Sequence, residues 1–262
     1  MLRKGLAAAA SLALFASACA KEPPRAATSE GESRTPRAAA LESALEKFAS
    51  KTATIKALVW IELSDGEEER HTEGALLLER PGSIRVDAMD ALADVWAKAG
   101  SDGRRLWLYI PAKDKLYSGR ASQANLRRLV NFAWEMPDIV AVVAGSPPAG
   151  ENPQILQAGS PRDDHFVVRE RGLHIWTDKK TGLPVKCARY EPDGSSLHYT
   201  VAFEDYRRRD GVSFPHRIEA SFPARGARIV VLYRDVAFGG KADPGLFEAP
   251  RRVKGRTVEL KD

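Results

Sequence analysis

Two cysteines, five histidines and 35 acidic side chains are the groups in this 262-residue sequence with types suited to chemistry. Their spacing argues against most of it. Asp163-Asp164-His165 places three metal-ligating side chains in a row, but no second cluster at ligand spacing accompanies them, and a turn leading into an exposed strand residue accounts for the same letters. His71, His174, His198 and His216 fall in or beside separate strand-like segments, and only His216 shares a face with strongly apolar neighbours. The sequence holds no nucleophile elbow, no paired-histidine spacing and no glycine-rich phosphate loop. Carboxylates are plentiful, yet nothing in their order pairs two for proton transfer. The expectation is a protein that is not an enzyme, with no metal and no cofactor. Cys187, in LPVKCARY at the parity of Leu183 and Val185, reads as a small apolar strand residue.

Cys19 stands apart. Basic MLRK precedes the uncharged run GLAAAASLALFASA, the layout of an export signal over residues 1–18. That run is shorter than the roughly 20 residues a helix needs to cross a bilayer, and no later segment is longer, so no transmembrane helix is expected after it. Ala16-Ser17-Ala18 fits the small-residue rule for ordinary secretory cleavage. Ala16-Ser17-Ala18-Cys19 also resembles the lipobox of bacterial lipoproteins, in which the cysteine is acylated and becomes the mature N-terminus; Ala16 stands where that pattern most often has Leu. The residues leave both readings open. Under the second, Cys19 is the lipid attachment, and Ala20 in place of Asp favours the outer membrane by resemblance to bacterial sorting rules. With only Cys187 besides, there is no disulfide framework.

Residues 19–36 are polar and rich in Pro, Ser, Glu and Gly, which reads as a disordered tether. The net charge of +5 is concentrated in Arg207-Arg208-Arg209 and in RRVKGRTVELK, so residues 251–262 are set apart as a basic C-terminal tail. A basic surface suits anionic lipid head groups, and a merely solvated face fits Arg207–Arg209 equally well. Nucleic acid is not an expected partner of an exported chain.

Between tether and tail lies the domain at 37–250. Thr35-Pro36 is a hydroxyl cap followed by proline in the first helical turn, and Leu41, Ala44, Leu45 and Phe48 recur at helical spacing, predicting a helix over 37–50. From Thr54 the period becomes two: Ile55, Ala57, Val59, Ile61 and Leu63 share one strand face. Further strands follow in EGALLLER, SIRVDAM, DVWAKAG, RRLWLYI and KLYSG, joined by tight turns. Two short helices are predicted at 122–134 and 137–144, and six more strands after the SPPAGENP cluster. The expected fold is mainly β with an α lid: one strongly curved antiparallel sheet of about 10–12 strands covered by short helices. Such a sheet encloses an apolar cavity or a solid core, and the sequence favours neither.

In their joint order, Gly74-Ala75-Leu76 with Glu79-Arg80-Pro81 and Arg85, then Ser101-Asp102-Gly103 and Leu106-Trp107-Leu108-Tyr109-Ile110-Pro111, resemble the outer-membrane lipoprotein carrier and receptor superfamily, the LolA/LolB-like proteins. Phe203-Glu204-Asp205-Tyr206, Asp210-Gly211-Val212, Phe214-Pro215 and Leu246-Phe247 with Pro250 extend the resemblance over most of residues 40–250. It implies a half-open barrel whose cavity accepts acyl chains, without catalysis or metal. Arg85 matches a position where the soluble carrier often has a polar residue near the cavity, but its parity opposes that of Ile84 and Val86. The expected cavity residues are Ile84, Val86, Trp134, Ile139, Val142 and Val143, each of which plain core packing would also explain. This chain departs from both named members. The soluble carrier is not lipidated, and the anchored receptor uses an apolar protruding loop where SDGEEERH is acidic. The implied function is an outer-membrane-anchored periplasmic lipoprotein that binds acyl chains and assists lipoprotein or lipid localisation. Its partners would be acyl chains of lipids or lipoproteins, the membrane through the N-terminal lipid, and a periplasmic carrier protein. An envelope sensor or protein-binding module on the same fold is the alternative.

Overall fold

The computed structural model describes residues 33–130, 134–158, 164–168, 171–191, 194–251 and 253–261. The export signal, Cys19, the tether up to residue 32 and Asp163 lie outside the described residues. No described helix is long and apolar enough to cross a membrane.

The first helix, α1 (Pro36–Lys51), starts where the cap chemistry dictates. The Thr35 hydroxyl accepts from the Ala38 N–H at 3.2 Å, and proline occupies the first turn, where its missing N–H costs nothing. At the other end the Thr52 N–H donates to the Phe48 carbonyl at 2.9 Å. A meander follows: β1 (Thr54–Ser64), β2 (Glu69–Glu79), β3 (Ser83–Met89), β4 (Val95–Asp102), β5 (Arg105–Ile110) and β6 (Lys115–Arg120). Two helices interrupt it, α2 (Gln123–Val130) and α3 (Met136–Val143). The second half contains β7 (Ile155–Gln157), β8 (Asp164–Val168), β9 (Leu173–Thr177), β10 (Pro184–Tyr190), β11 (Leu197–Arg209), β12 (Val212–Phe222) and β13 (Ala227–Phe238), and the chain ends in β14 (Thr257–Leu260).

All 14 strands form one sheet in the order β14-β6-β5-β4-β3-β2-β1-β13-β12-β11-β10-β9-β8-β7. Every neighbouring pair is antiparallel except β14 with β6. The sheet curves without closing, the half-open barrel that the family resemblance implies. Long-range closure is achieved by β1 pairing β13, from Ile55↔Phe238 to Ser64↔Arg228, which joins the two meanders.

The strands that the sequence pattern missed are the two edges, β7 and β14. β7 is only three residues long and β14 four, too short for an alternation to register. Within residues 251–262, Thr257–Leu260 pair in parallel with Leu116–Gly119. The β7 edge is blunted rather than left open. Ser33 bridges Gln157, and the Glu42 carboxylate of α1 accepts the Ile155 N–H at 2.8 Å.

The core lies on the concave side, under the helices. Ile55 and Val59 of β1, Val201 and Phe203 of β11, Phe214, Ile218 and Ala220 of β12 and Tyr233 of β13 are buried there. Two irregularities reset the parity. Leu58↔Asp235 is followed by Val59↔Tyr233, so the extra residue Arg234 lets both Tyr233 and Val236 face inward. In β10 the register shifts between Pro184 and Lys186, leaving Val185 38 % exposed while Cys187 is fully buried. The alternation Leu183, Val185, Cys187 is therefore broken by a bulge. Leu63, at the end of its strand, is likewise exposed.

On the convex side the segment after β13 folds back over β3–β5. Trp107 is buried with its indole N–H donating to the Phe247 carbonyl at 2.7 Å. It lies against Gly100, where a Cβ would come within 2.7 Å of the ring. Arg85 is on this outer side too, held by Asp87 at 2.8 Å and by the Leu246 carbonyl at 3.2 Å, opposite in parity to the cavity-facing strand residues.

Candidate functional site

The face of α1 that carries Leu41, Leu45 and Phe48 does not seal against the sheet along its whole length. Towards its C-terminal end it roofs a pocket of about 230 Å³ whose other walls are Leu183 and Pro184 before and at the start of β10, Tyr206 of β11, and Val212 and Ser213 of β12. Phe48 of the roof is backed by aromatic packing beyond the pocket: it stacks on Phe214 with centroids 6.4 Å apart at 11°, and Phe214 meets Tyr233 edge-on at 4.9 Å. The Tyr206 hydroxyl donates to the Pro184 carbonyl at 2.6 Å, so its polar end is satisfied and the ring presents carbon to the pocket. Burial pushes that phenol well above the usual tyrosine range, which keeps it a neutral donor.

The inner wall is set by the end of α3. Gly145 has φ +78, and the Gly145 and Ser146 N–H groups return to the carbonyls of Val142 and Ala141 at 2.9 and 3.0 Å, a Schellman turn. A side chain at Gly145 would strike the Phe214 ring at 2.9 Å, so glycine serves both the turn and the close approach. The turn brings the Ser146 hydroxyl to the Arg80 guanidinium at 3.0 Å. Arg80 also donates to Thr52 at 3.4 Å, and its Nε has no partner. Desolvation alone lowers Arg80 to about 10, so it remains charged at neutral pH. Lys47 and Lys51 stand exposed at the mouth.

The residues expected from sequence to line a cavity occupy a neighbouring part of the concave face. Val142 is 2 % exposed and Trp134 5 %, and both belong to the packed core. Trp134 meets Tyr199 and Phe222 edge-on at 5.0 and 5.2 Å. It lies beyond α2, not in it: Pro137 is tolerated only in the first turn of a helix, so the chain leaves helical geometry before α3 begins. Ile84 and Val86 of β3 and Ile139 and Val143 of α3 are half-buried and pack against that core. None of the six lines the pocket under α1. The helical spacing of Leu41, Leu45 and Phe48 was readable, but the strands facing them lie more than 130 residues downstream, and no local pattern pairs the two.

Two further features emerge from the fold. His165 and His174 meet across β8 and β9 at 2.9 Å, and His165 stacks on Trp176 at 4.6 Å. Leu92, in the turn between β3 and β4, is 83 % exposed. An apolar tip is thus present, at a different turn from the acidic one between β1 and β2.

Cys187 has no exposed surface, and desolvation holds its thiol far above the ordinary range. Native protein is expected to resist a thiol-reactive probe that labels Cys187 once denaturant unfolds the chain; rapid native labelling would contradict this packing.

No family model and no curated protein matches the chain. Solved structures do. A LolA superfamily protein from Nitrosomonas europaea is 17 % identical, with a TM-score of 0.55 over 81 % of this chain and 97 % of the other. A DUF1329 family protein from Desulfovibrio piger is 12 % identical, with a TM-score of 0.57 over 82 % and 98 %. A domain from Vibrio parahaemolyticus, described as an outer membrane lipoprotein-sorting protein, is 16 % identical, with a TM-score of 0.53 over 79 % and 94 %. At such identities the likeness lies in the course of the backbone, and this chain has the LolA/LolB-like fold.

Proposed function

We propose that this protein is a cell-envelope binding protein, held at the periplasmic face of the outer membrane through lipid on Cys19, that accepts acyl chains and assists the localisation of lipids or lipoproteins. The observation that carries the reading is the apolar pocket under α1, open to solvent at one end and walled by Leu45, Phe48, Tyr206 and Val212. The similarity to a lipoprotein-sorting domain supports the class of cargo. Leu92 gives the barrel an apolar point with which to approach a bilayer.

Native mass spectrometry of protein purified from membranes without detergent tests the reading. Co-purified acyl lipid and a diacylglyceryl-sized mass on the mature N-terminus are the expected results. Empty protein in a stable complex with another protein would overturn the carrier reading in favour of a sensor or docking module.

A further inference from the structure

The pocket under α1 is lined mostly by apolar side chains and carries two cations at its mouth. Lys47 and Lys51, one turn apart on the helix, line its mouth. Arg80 sits one hydrogen bond behind its wall, through Ser146, with burial of its guanidinium the dominant influence on it. Among the described residues no carboxylate pairs with any of these three cations, although most other arginines of the structure have one within 4 Å. An uncharged alkyl ligand would fill the pocket and leave the two exposed lysines at its mouth without a counter-charge, whereas an anionic head placed there would meet both, with an attraction that salt screens. The volume is also informative. About 230 Å³ lies below the ~300–1,000 Å³ of pockets that enclose a drug-sized ligand, so the space suits one chain rather than several.

We propose that this pocket selects a single acyl chain ending in a carboxylate, a long-chain fatty acid, with its tail between Phe48 and Tyr206 and its head at Lys47 and Lys51. The inference rests on the reading that the pocket accepts acyl chains and adds the charge of the head.

Titration calorimetry of the folded domain with dodecanoate and with dodecanol, equal in length and different in head, tests it. Dodecanoate is expected to bind about fivefold tighter at low salt, and the ratio should shrink as ionic strength rises. In a K47Q/K51Q variant the ratio should fall towards one; because both ligands are measured on the same protein, a general loss of folding would lower both and not mimic this result. Equal binding of the two by the unmodified protein would overturn the selectivity while leaving acyl binding intact. Tighter dodecanoate binding that persists unchanged in K47Q/K51Q would overturn the assignment to these lysines. Binding of neither would overturn both the selectivity and the acyl-binding reading.

Discussion

A Leu45→Glu variant is expected to bind dodecanol at least tenfold more weakly than the unmodified protein while keeping its thermal transition within a few degrees. Leu45 lines the pocket from α1, yet it is only partly buried, so a glutamate there can reach water when the pocket is empty. With a chain bound, the carboxylate must either be desolvated without a partner or hold water in the pocket. Loss of the leucine contact alone is worth about 1.5–3 kcal/mol for a fully buried side chain, and an unpaired charge adds more. Tenfold needs only about 1.4 kcal/mol. Leu45→Met, which preserves volume and polarity, is expected to bind as before. Unchanged binding by a folded Leu45→Glu protein would show that acyl chains enter elsewhere on the concave face. Val142 would be a poorer position for the same experiment, since at 2 % exposure a charge there threatens the core itself.

The second large effect concerns stability. Phe214 is fully buried at the meeting point of α1, β12 and β13, within 6.4 Å of Phe48, 4.9 Å of Tyr233 and 5.3 Å of Phe238, ring centroid to centroid. Phe214→Ala is expected to cost about 3–5 kcal/mol in urea unfolding, the usual range for emptying a buried aromatic site. Against a typical total of about 5–15 kcal/mol, that leaves a marginal protein. Because Phe214 backs Phe48, which lines the pocket from α1, acyl binding should fall further than the loss of folded protein accounts for. Phe214→Leu should recover most of the stability and part of the binding. A cost below about 1 kcal/mol for Phe214→Ala would mean that α1 does not rest on this ring.

Much of this fold was legible before any coordinates. Alternation located twelve strands because half of each faces a packed core and half faces water. Thr35-Pro36 marked the start of α1 because capping is a local matter of one hydroxyl and one ring. The opposition of Arg85 to Ile84 and Val86 followed from strand parity and holds in the structure. Where parity failed, at Val185, the register had shifted, as it also does around Arg234, and nothing in residue type announces such a bulge.

The site was less accessible than the fold. Sequence placed the apolar residues of α3 and β3 near the concave face but could not tell a filled core from a cavity, because that depends on how closely two elements approach, a distance and not a pattern. The pocket arises where α1, fixed at its start by Thr35 and by Arg37 with Asp164 at 2.7 Å, passes over β10–β12 with less side-chain volume beneath it than the gap requires. The lysines at its mouth come from α1, and Arg80, just after β2, is brought behind its wall by the pairing of Thr54 with Glu79. By itself, then, the sequence determined the elements and their buried faces, since each depends on neighbours along the chain. Tertiary structure alone decided where space was left between those faces and which charges surround it, since both depend on residues that meet only after long-range closure.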